Sequence, residues 1–101
     1  MRNKMQVAET ILEQLGGARR LGIMVNARDF VAITRGLQFK FSGSRKANTA
    51  RVELTPRDTY TLTLYKVTNK GLDIKDVASE EMYFDQMVDY IESVTGLALH
   101  F

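Results

Sequence analysis

Cysteine and tryptophan are absent, histidine and proline each occur once, and no apolar run approaches the ~18 residues that span a bilayer. Each absence removes a class of chemistry. Without thiols there are no disulfides, no thiolate zinc sites and no cysteine nucleophile. The lone His100 leaves no histidine-built metal site and no Ser-His-Asp relay within one chain, unless a partner chain contributes residues. The opening stretch M-R-N-K-M-Q-V-A-E-T lacks the apolar core of a secretory signal, so a cytoplasmic protein without membrane contact is expected.

What remains is a chain of 101 residues, 45% apolar and 26% charged, which fits a single domain over residues 1–101 with one modest core. No linker or repeat interrupts it. The net charge of +2 is unevenly laid out: residues 1–50 hold nine Lys/Arg and three Asp/Glu, residues 51–101 five and nine. The halves therefore carry opposite signs, a layout that suits a polyanion or a head-to-tail partner.

Residues 50–67, A-R-V-E-L-T-P-R-D-T-Y-T-L-T-L-Y-K-V, read as two strands folded on a tight turn. Val52 and Leu54 alternate with polar residues, as do Tyr60, Leu62 and Leu64, which is the period-2 pattern of half-buried strands. Setting Leu54 opposite Tyr60 and Val52 opposite Leu62 requires an odd loop, because a slip of one residue turns every apolar side chain to the wrong face. Pro56-Arg57-Asp58 supplies it. Proline suits the first position of a type I turn, and aspartate tolerates the left-handed conformation that closes a loop of this kind. The outward pairs Thr55 with Thr59, Glu53 with Thr61 and Arg51 with Thr63 make a polar face that is expected to be solvated.

Around this hairpin, Ala8, Ile11, Leu12 and Leu15 predict an amphipathic helix over about residues 4–15, stopped by Gly16-Gly17. Residues 20–25 predict a first strand with Leu21, Ile23 and Val25 on one side, closed by Asn26. Residues 27–36 fit a helical turn, a strand or a loop, and periodicity does not choose. Leu37, Phe39 and Phe41 predict a second strand, followed by a polar, basic connector over 42–48. Pairing Phe41 with Val52 sets Lys40 against Glu53 rather than Arg51, so that register is expected. A reversal at 69–71 leads to a short charged edge strand around Leu72, Ile74 and Val77. Tyr83, Phe84, Met87, Val88, Ile91 and Val94 form the apolar stripe of a final helix that Gly96 ends in a left-handed cap, with Leu97 folding back. The fold class is α+β: a mostly antiparallel sheet of four to five strands, with an N-terminal and a C-terminal helix packed on one face.

Candidate chemistry is sparse. Glu81, Asp85, Asp89 and Glu92 share one face of the expected helix, where they read as a solvated surface rather than a cation site. Gly16-Gly17 follows a helix instead of a strand, so it is a helix stop and not a phosphate loop. Asp58 reads as a turn residue, Asp29 as a loop or cap residue. Arg35, Lys40, Arg45, Lys46 and Arg51 are the candidate nucleic-acid contacts, although Tyr65 is the only aromatic on the sheet's outer face. No catalytic residue, metal ligand or cofactor loop is visible, so no enzyme, metal or cofactor is expected.

The combination T-I-L-E-Q-L-G-G (10–17), L-T-P-R-D-T-Y (54–60), Y-F-D-Q-M (83–87) and V-T-G-L (94–97) resembles a group of small uncharacterised proteins of bacteriophages and related mobile elements. Thr55, Phe84 and Met87 depart from that group's pattern. The resemblance implies a phage or prophage source and a small accessory role in the bacterial cytoplasm, and it carries no functional residue over. The expected function is a non-enzymatic interaction module that engages a protein partner or a second copy as a homodimer through its open sheet face. The alternative is nucleic-acid binding by the basic half.

Overall fold

The computed structural model describes residues 4–68 and 73–97. Helices α1 (Lys4–Gln14) and α2 (Ala18–Val25) precede strands β1 (Arg28–Ile33), β2 (Gly36–Lys40), β3 (Thr49–Leu54), β4 (Tyr60–Thr68) and β5 (Asp73–Met82). A 3₁₀ turn (Phe84–Gln86) then enters helix α3 (Met87–Thr95). The strands form one five-stranded antiparallel meander in chain order, so the fold is α+β. Among the described residues no helix is long and apolar enough to cross a membrane.

The central hairpin follows from its turn chemistry. Leu54 pairs with Tyr60 and Val52 with Leu62. Asp58 is left-handed at φ 61°, and its amide donates to the Thr55 carbonyl at 3.1 Å. Leu37, Phe39, Val52, Leu62 and Leu64 thereby point to one face, where Ile11 of α1, Leu21 of α2 and Met87 of α3 join them in a single buried cluster. Burying such a side chain is worth about 1.5–3 kcal/mol. The stripe of α1 needs this cluster, since a helix so short is marginal alone.

Residues 20–25 are helical, against the expected strand. Leu21 and Val25 are buried while Ile23 is 67% exposed, so burial recurs at helical rather than alternate spacing. Asn26, left-handed at φ 56°, closes the helix. The undecided stretch after it forms β1 and its turn into β2. Asp29, expected in a loop or cap, lies on β1 at φ 55°, where an irregularity separates the pair Arg28 and Lys40 from the pair Val31 and Gln38.

The register of β2 on β3 also differs from expectation. Leu37, not Phe41, opposes Val52, and Lys40 lies against Thr49. The apolar face is unchanged, but the pairing is set by Gly36, where a Cβ would stand 1.8 Å from the Val52 carbonyl oxygen. Only glycine lets the strands approach there. Beyond β2, Asn48 extends the ladder with its side chain: Nδ2 donates to the Val67 carbonyl at 2.7 Å and Oδ1 accepts from the Val67 amide at 2.9 Å.

The end of the chain departs most. The edge strand is not short: β5 spans ten residues and takes Glu81, which was expected on the helix. Residues 78–82 are rich in helix formers, but they pair in register with Tyr60, Thr61, Leu62, Thr63 and Leu64, and that pairing overrides propensity. Helix α3 therefore starts at Met87, and Tyr83 and Phe84 are 64% and 54% exposed rather than in its apolar stripe. Its end is as expected: Gly96 is left-handed at φ 76°, its amide donates to the Glu92 carbonyl at 2.8 Å, and Leu97 packs on the core. The reversal at 69–71, Leu72 and His100 lie outside the described residues.

Candidate functional site

Because the buried apolar strand side chains of the core cluster turn to the helices, no helix among the described residues covers the opposite face of the sheet, referred to below as the bare face. Strand alternation places Gln38 of β2, Arg51 of β3, Thr63 of β4 and Ser79 of β5 in one row across it. Arg51 is held in place there. Its Nε and Nη2 donate to Gln38 Oε1 at 3.2 and 3.0 Å, and its guanidinium lies 5.5 Å from the centre of the Tyr65 ring. The Thr63 and Ser79 hydroxyls are 3.0 Å apart.

The expected solvation of this face is only partly present. Thr49, Thr59 and Thr63 are 4%, 8% and 7% exposed, because long neighbours and cross-strand hydroxyl pairs shield them. Val31 and Ile74 remain exposed on the same face, at 51% and 65%.

A second network fastens the β3–β4 turn to β5. Thr59 Oγ1 donates to Glu81 Oε2 at 2.5 Å, and Arg57 Nη2 reaches Glu81 Oε1 at 2.6 Å. Since the Thr59 hydroxyl gives its only proton to the carboxylate, Thr55 Oγ1, 2.7 Å away, donates to Thr59. The Thr59 bond holds the Glu81 carboxyl below the ordinary glutamate range, partial burial opposes this, and the Arg57 charge adds to it.

The five basic candidates do not form one patch: Lys40, Arg45 and Lys46 lie toward one end of the sheet, and Arg51 and Arg35 lie apart from them. Arg45 and Lys46 are exposed in the segment that follows Lys40, at one end of the sheet, where Arg28 donates to Ser42 Oγ at 2.9 Å. Lys40 stands 3.7 Å from Asp29, a surface pair. Arg51 is in mid-face, and Arg35, in the β1–β2 turn at the far end, donates to the Leu54 carbonyl at 3.2 Å.

The acidic line is also dispersed, with Glu81 on β5 and Asp89 and Glu92 on α3. Among the described residues no group of three or more His, Asp or Glu is placed to hold a metal ion. Instead, Glu80, Glu81 and Met82 of β5 and Gln86, Asp89, Tyr90 and Ser93 from the 3₁₀ turn and α3 line an open groove of about 360 Å³. Burial, and after it the Glu80 charge, push the Tyr90 phenol above its ordinary range. The sequence hid this groove because residues 78–82 carry no alternation to mark them as a strand. No family model, curated protein or solved structure matches the chain.

Proposed function

We propose that the protein is a non-enzymatic protein-interaction module of a phage or mobile element, acting in the host cytoplasm through the bare face of its sheet. The observation that carries this reading is the segregation of the helices to one face, which leaves Val31 and Ile74 exposed beside ordered polar side chains on the other. Arg51 is held by Gln38 and Tyr65, so the centre of that face is preorganised, and ordering costs on binding are correspondingly small. The phage source rests on the resemblance of residues 10–17, 54–60, 83–87 and 94–97 to small phage proteins.

The test is capture from bacterial lysate by the protein and by a Val31→Glu, Ile74→Glu variant, with sedimentation of both. A partner, or self-association, that the variant loses supports the reading. Identical captures and two monomers remove it. The grouping of Arg28, Lys40, Arg45 and Lys46 at one end of the sheet favours nucleic acid as the second reading. Titration into labelled single- and double-stranded DNA at low and moderate salt then gives salt-sensitive binding, and no binding at either salt discards it.

A further inference from the structure

We propose that residues 78–83 are a conformational switch: paired with β4 as the end of β5 in this structure, they leave the sheet to extend α3 at its N-terminus, which bares the edge of β4 that β5 covers. This inference is independent of the bare-face reading above. The 3₁₀ turn Phe84–Gln86 runs into α3 without an intervening residue, and Gln86 and Met87 at the junction are both right-handed helical. Tyr83, at φ −80° and ψ 159°, is the residue that turns the chain from strand into helix. Rotating this one ψ angle to about −42° therefore carries the helix back into residues 78–82. A cap holds the stop in place: the Tyr83 amide donates to Gln86 Oε1 at 2.9 Å.

The two states bury different side chains. Ala78, Glu80 and Met82 share the core-facing side of β5, opposite Leu64, Leu62 and Tyr60, and of the three only Met82 is buried. Glu80 is exposed where the neighbouring strand places a buried leucine, so the strand state is weakly held by apolar contact. The helical state gives up Met82. In exchange Tyr83 and Phe84, now more than half exposed, come into line one turn before Met87 and Val88, which pack on the core. Ala78, Glu80, Glu81 and Met82 are strong helix formers, and the register shift between Leu64 and Tyr65 separates residues 78–82 from the rest of β5. They open as a unit. Glu81, which accepts from Thr59 and Arg57, and the Ser79 hydroxyl, 3.0 Å from that of Thr63, latch the strand state.

The test is amide hydrogen exchange of the intact protein, followed by NMR. Amides at 78–82 exchange through a shared opening that leaves those of residues 50–54 protected, since amides in the first turn of a helix have no intrahelical acceptor. Phe84→Pro fits the structure, because Phe84 is the first residue of the 3₁₀ turn and the extended Tyr83 before it is what proline requires. It blocks a helix that runs through Phe84, so exchange at 78–82 slows by about tenfold or more. Phe84→Ala, which removes the same ring but permits the helix, slows it by a few-fold at most, roughly the loss of one exposed contact. Ser79→Ala combined with Glu81→Ala unlatches the strand and favours the helix: exchange at 78–82 quickens by about tenfold, and the Cα shifts of these residues move toward helical values. Equal exchange in Phe84→Pro and Phe84→Ala overturns the proposal. So do Cα shifts of the double variant that stay extended or move to coil values, and exchange of residues 78–82 only together with residues 50–54.

Discussion

Strand β4 has two neighbours that are joined to it in different ways. Against β3 it pairs without irregularity from Thr49 and Tyr65 to Leu54 and Tyr60, and Val52, Leu62 and Leu64 are fully buried between the sheet and the helices. Against β5 it pairs through a register shift, then runs out to Val67 and Ile74, where Ile74 is 65% exposed. In the first pair, turn chemistry, alternation and burial all specify the same register. In the second, the register is imposed by β4 on a segment whose own composition favours helix, and consistency across levels is lost. The difference marks where stability resides.

The largest expected effect breaks this comparison if it fails. Leu62→Ala leaves a void under the sheet and should cost about 2–5 kcal/mol, whereas Ile74→Ala on the exposed tip should stay within about 0.5 kcal/mol. Urea denaturation of the two variants measures both. Equal losses would show that the β4–β5 pair is as firmly packed as the β3–β4 pair.

A smaller effect sharpens the role of the turn. Asp58 holds a left-handed backbone conformation that alanine adopts at a cost of about 1–2 kcal/mol, so Asp58→Ala should destabilise by that order. Asp58→Gly should recover most of the loss, because glycine enters that region freely. If the two substitutions cost the same, the aspartate side chain, not the backbone conformation, is what the turn requires.

The same contrast explains what could be read from the sequence. The hairpin over 50–67 was legible to the residue, because parity and the proline admit one loop, and so were the stop of α1 at Gly16-Gly17 and the cap at Gly96. Residues 20–25 misled because Leu21, Ile23 and Val25 fit an alternating pattern, while burial of Leu21 and Val25 alone fits a helix equally well. The β2–β3 register that Lys40 and Glu53 suggest does not form, because charge pairs on an exposed face are weak and the close approach at Gly36 decides. The bare face was partly legible, since the outward row of the hairpin was correct. The β5–α3 groove was not, because it exists only once β4 has drawn residues 78–82 into the sheet.

The contact that joins the two regions gives the smallest and most specific prediction. Glu81 on β5 accepts from Thr59 beside the β3–β4 turn, and its carboxyl is held low first by that bond and then, against partial burial, by Arg57. A carboxyl whose folded value lies below its unfolded one contributes stability that is complete above the unfolded value and disappears as pH falls through the folded one. The urea midpoints of the protein and of Glu81→Gln should therefore differ near pH ~7 and converge below about pH 4. Thr59→Val should return the Glu81 carboxyl toward the ordinary range in an NMR titration. Salt should do little, because the Arg57 pair is exposed and screened while the hydroxyl bond is short and partly sheltered. A Glu81 carboxyl that titrates normally in the unaltered protein would mean that the turn and β5 are joined by backbone pairing alone. The outer edge of β5 would then be positioned by β4 without help from the turn.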